Sequence, residues 1–164
     1  MTDAAPPWMA PGRSRVVPYV IVPDAMRVVE FAERVFGAAR RAAPVWHDDG
    51  RLWNIEINIG ESTVMLSDAD PEGAMVRPGF LYVQVPDAGA THARAIEAGA
   101  REIMPPAPRF YGAVDGGVED MAGNWWWIST HAEDLTDDEI AARARDEAAR
   151  RATEGPAAPG GSAR

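Results

Sequence analysis

The heptapeptide Tyr19-Val-Ile-Val-Pro-Asp-Ala25 returns as Tyr82-Val-Gln-Val-Pro-Asp-Ala88, identical at six of seven positions. Each copy runs on through a helical stretch to a Gly-Ala-Arg element, Gly37-Ala-Ala-Arg40 in the first and Gly99-Ala-Arg101 in the second. A proline-containing strand follows in both, with Pro44 in one and Pro105 and Pro106 in the other. Internal repetition sets an architecture before any single residue is interpreted. Two copies are too few for a solenoid, so they predict one small unit, duplicated and packed on itself. A unit of roughly 60 residues is marginal alone. The two should therefore share a core or a sheet.

Working outward from the heptapeptides, strand one is predicted over Val16–Val22. Asp24 then sits where a helix N-cap belongs, and the helix runs from Ala25 to about Phe36. Val28, Val29, Phe31, Ala32, Val35 and Phe36 recur at helical spacing and form its buried face, and Gly37 closes it. Short strands are expected at about Arg40–Trp46, Arg51–Ile59 and Ser62–Ser67, with Asp48-Asp-Gly50 and Gly60-Glu61 as hairpin turns. The second copy repeats the plan. Phe80–Val85 is a strand, Asp87 caps a helix to about Ala98, and strands follow near Glu102–Met104, Gly116–Glu119 and Trp125–Ser129. Both modules read β-α-β-β-β, over about 16–70 and 78–132. A last helix opens at the capping box Thr136-Asp-Asp-Glu139 and runs to about Ala152, as a solvated or partner-contacting element. Residues 1–14 are a proline-rich arm carrying Trp8, and 153–164 form a Gly/Pro/Ala-rich tail expected to be disordered.

Composition narrows the function classes. The net charge of −9, with basic residues scattered among acids, argues against a nucleic-acid groove. With no cysteine, disulfides, thiolate catalysis and sulfur-ligated metals are excluded. No apolar run approaches a membrane span and Met1–Arg15 lacks the apolar core of a signal peptide, so a soluble cytoplasmic protein is expected. No phosphate loop, Ser/His/Asp arrangement or dinucleotide fingerprint occurs.

Alternation assigns the sheet faces. Ile55, Ile57 and Ile59, and Leu81, Val83 and Val85, are aliphatic and should carry the helices. The opposite face would present Tyr19, Asn54, Glu56, Asn58, Met65, Phe80, Tyr82, Gln84, Trp125 and Trp127. This amphipathic, aromatic lining suits a small-molecule cavity; a closed interior without ligand is the other reading of the same stripes. Trp126 should point to the helix side. Glu56, between two isoleucines, is the one acid expected on the open face, either as a partly desolvated proton acceptor or as a carboxylate held by an arginine. Tyr82, Arg109 and Tyr111 are the nearest helpers. The loop Arg109-Phe-Tyr-Gly112 could clamp an anion or simply connect strands. His47 falls in a hairpin turn, His92 on an exposed helix face, and His131 where it would anchor the last helix.

The duplicated module, the Val-Pro-Asp-Ala helix entry and Val35-Phe-Gly37 resemble the vicinal oxygen chelate superfamily of glyoxalase I, bleomycin-resistance proteins and extradiol dioxygenases. Asp49-Gly-Arg51, Ile59-Gly-Glu-Ser62, Val64-Met-Leu-Ser-Asp68, Glu119-Asp-x-x-Gly-Asn124 and the ending from Trp126 to Leu135 are similar to its bacterial glyoxalase-like branch. The resemblance implies an α+β fold in which two βαβββ modules form a curved mixed sheet, with an added C-terminal helix and a homodimer as the expected assembly. It places the superfamily's four metal ligands on Val17, Met65, Phe80 and Trp127, none of which binds a hard or borderline divalent ion. Asn54 stands where the branch often has His, and Gly112-Ala113-Val114 where it often has Gly-Asp-Arg. The resemblance therefore implies the scaffold without its metal and with no cofactor. Metal-independent binding of a small, partly aromatic molecule is the leading expectation. A cofactor-free isomerase, lyase or cyclase using Glu56 comes second, and a metal-dependent lyase or dioxygenase third.

Overall fold

Two mixed sheets, each carrying one helix, share a single hydrophobic core. The computed structural model describes residues 7–10, 12–72 and 75–154. The first module runs β1 (Tyr19–Val22), α1 (Ala25–Phe36), β2 (Ala39–Arg40), β3 (Val45–Trp46), β4 (Leu52–Ile59) and β5 (Ser62–Asp68). The second runs β6 (Phe80–Gln84), α2 (Ala88–Glu97), β7 (Arg101–Pro108), β8 (Ala113–Glu119) and β9 (Trp125–His131), and α3 (Asp137–Glu154) follows. Strand order is β1-β5-β4-β2 in one sheet, with β3 also on β4, and β6-β9-β8-β7 in the other. The strand expected over Arg40–Trp46 is two short pieces, and strand one starts at Tyr19 rather than Val16. The tail from 155 to 164 lies outside the described residues.

The helices form for the predicted reason. Val28, Val29, Phe31, Ala32 and Val35 of α1 are buried at helical spacing, and Gly37 in the left-handed region closes the last turn onto the Glu33 carbonyl at 3.1 Å. Trp126 of β9 is fully buried and packs on Phe31 and Phe36, ring centres 6.0 and 5.0 Å away. The helix-facing side of the second sheet thus closes over α1 of the first. Removing an indole from such a site costs on the order of 3–5 kcal/mol.

The start of α1 corrects the sequence expectation. Asp24 adopts a left-handed conformation and makes no capping bond. The Asp68 carboxylate at the end of β5 accepts from Ala25 N and Leu52 N instead, both at 2.7 Å. Extended through the strand registers, the repeat places Thr130 of β9 where Asp68 stands, and its hydroxyl accepts from Ala88 N at 2.7 Å while donating to Val85 O. Asp87 does cap α2 as expected, accepting from Ala90 N. The duplicated frame keeps the tie between last strand and helix entry and changes the atom that makes it.

The second sheet accommodates Pro105 and Pro106 because β7 is an edge strand, where a missing N–H is tolerated. Its register against β8 shifts on both sides of Met104. Gly116 makes room for the bulge, since a Cβ there would lie 2.7 Å from Pro106 N. Asp120 fixes the β8–β9 turn. Its carboxylate accepts from Ala122 N, Asn124 N, the Asn124 amide and the Trp126 indole, and Asn124 in turn accepts from Gly79 N at the mouth of β6. The segment leading into β6 pairs with β1 at one isolated antiparallel bridge, Ile21 to Arg77. No helix among the described residues is long and apolar enough to cross a membrane.

Candidate functional site

The face of each sheet turned away from its helix carries the polar and aromatic residues. On the first module, register aligns Tyr19, Met65 and Glu56 across β1, β5 and β4, with Asn54 and Asn58 two residues to either side. Glu56 is half-buried and held by two guanidiniums. Arg13 pairs with both of its oxygens, and Arg41 Nε lies 3.3 Å from Oε2. Arg41 also donates to Gly12 O and to Thr63, whose hydroxyl bonds Asn58. Gly12 and Arg13 thus touch the first module's open face, and Arg15 stands over the Trp8 ring. The arginine-held reading of Glu56 is the one the geometry favours.

On the second module the rows are Phe80–Trp125–Glu119, Tyr82–Trp127–Gly117 and Gln84–Ser129–Asp115. Trp126 points into the core and its two neighbours do not, as alternation predicts. Trp127 stacks on Phe80 with centres 5.6 Å apart, and its indole fills the space that a side chain at Gly117 would need. Phe80 remains 62% exposed and Trp125 41%, so the aromatic platform is open rather than a closed interior. Beside it the Tyr82 hydroxyl donates to Ser129 Oγ at 2.7 Å.

Asp115 is the residue that sequence reasoning missed. It is completely buried, yet it sits on the open face and gathers both functional groups of the Arg109–Gly112 loop. Arg109 Nε donates to Oδ1 at 2.5 Å and Nη2 to the Asp115 carbonyl at 2.8 Å, while the Tyr111 hydroxyl donates to Oδ2. Burial, and then the hydrogen bond to Asp115, push the Tyr111 hydroxyl well above the ordinary phenol range. The signal was an acid between Val114 and two glycines inside an apolar strand, where an unpaired carboxylate would be costly. Arg109 and Tyr111 stand together beside this face, each bonded to Asp115.

Two cavities adjoin this sheet. A groove of about 700 Å³ follows the unpaired edge of β6, bringing in Phe80, Tyr82 and Gln84, and is bounded by Ser14, Val16 and Pro18. A smaller cavity of about 310 Å³ lies over Trp127, Arg109, Tyr111 and Asp115, with Glu147, Arg150 and Arg151 of α3 as its other wall. The first-module residues Tyr19, Asn54, Met65 and Glu56 line neither, nor does Trp125. The histidines stand outside both. His47 stacks on Trp53 at 4.2 Å, and His131 bonds Asp134 on the way to α3. His92 is buried rather than exposed, its Nε2 unbonded and 3.6 Å from a Glu102 oxygen.

The four places that hold metal in the superfamily do not fit a metal here. Val17 and Phe80 offer no donor atom, Met65 offers only a thioether, and the Trp127 indole donates rather than accepts. No group of three or more His, Asp or Glu side chains suited to an ion occurs among the described residues.

Comparison with known proteins agrees with this frame. The profile of the Glyoxalase/Bleomycin resistance protein/Dioxygenase superfamily matches residues 14–128. An uncharacterised protein of Mycobacterium bovis is 29% identical over 135 residues, which span 76% of this chain and 88% of that protein. Among solved structures, TioX from Micromonospora sp. ML1 is similar with a TM-score of 0.57 at 22% identity, over 75% of this chain and 100% of that one. The fosfomycin resistance protein FosX from Listeria monocytogenes is similar with a TM-score of 0.59 at 15% identity, over 80% of this chain and 99% of that one. Identities this low carry the fold alone. With the duplicated module, the two mixed sheets and the profile match in agreement, the chain belongs to the glyoxalase/bleomycin resistance protein/dioxygenase superfamily.

Proposed function

We propose that this chain binds a small, partly aromatic organic molecule on the open face of its second module, without a metal ion, in drug sequestration or metabolite binding. The observation that carries the reading is the Phe80–Trp127 ring pair, Trp127 half-buried against Gly117 and Phe80 open to solvent. A planar ligand gains dispersion and quadrupole contact on such a surface, worth about 0.5–1.5 kcal/mol per ring pair beyond the area it buries. The Tyr82–Ser129 pair alongside offers a few placed polar groups. The metal-free part of the proposal rests on the donor chemistry of Val17, Met65, Phe80 and Trp127. A homodimer is part of the same proposal, because Tyr19, Phe80 and Trp125 are exposed aromatics of the kind that interfaces collect.

A panel of aromatic natural products, read by thermal shift and tryptophan fluorescence, tests this. At least one should stabilise the protein and quench emission, and Trp127→Ala should abolish both effects. Purified protein holding one tight divalent ion per chain, with binding lost on its removal, overturns the proposal.

A cofactor-free isomerase, lyase or cyclase is the second reading. The Tyr111 hydroxyl on a wholly buried carboxylate supports it, and moves its centre from Glu56 to Asp115. If a bound compound turns over, Asp115→Asn should abolish turnover while Glu56→Gln retains it.

A further inference from the structure

Asp115 and Trp127 are diagonal neighbours on the open face of the second module. Gly117 is the cross-strand partner of Trp127, and Asp115 stands two residues before it on β8. Diagonal positions of this kind lie about 7–8 Å apart. The Arg109 guanidinium is drawn onto Asp115, through Oδ1 at 2.5 Å and the backbone carbonyl at 2.8 Å. It is therefore held within reach of a ring lying on the indole. Arg109 and Trp127 both line the cavity of about 310 Å³, whose nearer walls are Met104, Ala107, Pro108 and Phe110 and whose far wall is α3.

Asp115 takes the charge of Arg109 but not all of its donors. The pair is in contact and the carboxylate is completely buried, so the two charges match each other. Nε and Nη2 each donate once to Asp115, and a guanidinium carries further N–H groups. Among the described residues Nη1 has no protein acceptor. Nor is it walled off. Arg109 keeps 18% of its side chain exposed, and the buried side-chain polar atom without a partner among the described residues is His92 Nε2.

The cavity thus combines an apolar lining, one aromatic face and a donor whose charge is already matched. A carbonyl oxygen accepts from such a donor and brings no charge that must be stripped of water. Conjugation keeps that oxygen in the plane of the ring, at its rim, where Arg109 stands relative to Trp127. The volume is at the lower end of the roughly 300–1,000 Å³ that small-molecule pockets span, which favours one or two fused rings over a larger polycycle.

We propose that this cavity takes an aryl carbonyl compound, its ring on Trp127 and its carbonyl oxygen accepting from Arg109 Nη1, with Asp115 positioning the donor. This rests on the aromatic-platform reading and adds the polar end of the ligand. A hydrogen bond from a charged donor is worth about tenfold or more in affinity.

The test compares 2-acetylnaphthalene with 2-ethylnaphthalene, which keeps the outline and replaces the carbonyl by a methylene, in tryptophan-fluorescence titrations of the full-length chain. The wild type should bind the ketone at least about tenfold more tightly. Arg109→Met alone would strand the Asp115 carboxylate, so the pair is removed together in Arg109→Met/Asp115→Leu, an exchange of a buried ion pair for apolar groups of similar size. There the ratio of the two affinities should fall close to one, with both compounds still bound. Arg109→Lys keeps the counter-charge and gives up the fork. Its ratio should fall as well, and the infrared carbonyl band of the bound ketone should lie at higher frequency than in the wild type. Equal affinities in the wild type, both lost in Trp127→Ala, would overturn the carbonyl assignment while leaving the aromatic platform standing. An unchanged ratio in either Arg109 variant would likewise overturn it. Binding of neither probe would overturn both.

Discussion

The indole of Trp127 lies where a side chain on Gly117 would have to be, so the glycine on β8 seats the ring on β9. A Cβ added to Gly117 would fall inside any van der Waals contact with the ring. The backbone of Gly117 is not in the left-handed region, so the constraint is steric rather than conformational. Gly117→Ala should displace Trp127 at a cost of about 1–3 kcal/mol, the usual price of overpacking. A melting temperature unchanged in Gly117→Ala, with tryptophan emission also unchanged, would refute the seating role.

Asp120 should prove the most sensitive carboxylate for stability. It is buried and accepts from two backbone amides, the Asn124 side chain and the Trp126 indole. Asp120→Ala leaves these donors in an apolar setting without an acceptor, and an orphaned buried group costs about 1–3 kcal/mol. The loss should exceed about 3 kcal/mol in denaturant titration, since several donors are stranded together. A loss under about 1 kcal/mol would mean that water replaces the carboxylate at the turn.

How far these ties were legible depends on their span in sequence. The Thr136–Glu139 box, the Gly37 helix end and the inward Trp126 are local patterns, and each is found where its spacing puts it. The tie that replaces Asp24 at the start of α1 comes from Asp68, and the Arg13–Glu56 pair likewise spans 43 residues. Partners that distant leave no periodicity to read. Asp115 failed to stand out for another reason. Its partners Arg109 and Tyr111 lie nearby, but only the turn closed by Gly112 N on Arg109 O folds them back onto it.

The arm contact separates two roles for Glu56. Its carboxylate is shared by Arg13 and Arg41 at a site whose side chains are partly exposed, so Arg13→Ala should cost no more than about 1 kcal/mol. The same change should speed limited proteolysis around Gly12 and Ser14, because Arg13 carries an ion pair from the arm to the sheet. Glu56→Ala should cost more, since it removes the acceptor that both guanidiniums share. Equal proteolysis of wild type and Arg13→Ala would show that the arm is held by something else.

Tyr111 sets an alkaline limit. Burial and the Asp115 carboxylate both favour its protonated form, so its folded value lies above the value of 10.0 for an ordinary tyrosine. The sign follows from linkage. A group raised in the fold contributes stability in full below its unfolded value, and loses it as pH rises through the folded one. Wild-type stability should therefore fall above about pH 10, as unfolded chains release a proton that the folded state retains. Tyr111→Phe should flatten that part of the profile. It should also leave the tyrosinate absorbance change between about pH 9 and 11 in the folded protein at its wild-type size, because Tyr111 does not ionise there. A change reduced by one tyrosine's share in the variant would mean that Tyr111 titrates as an ordinary phenol and that its bond to Asp115 is absent in solution.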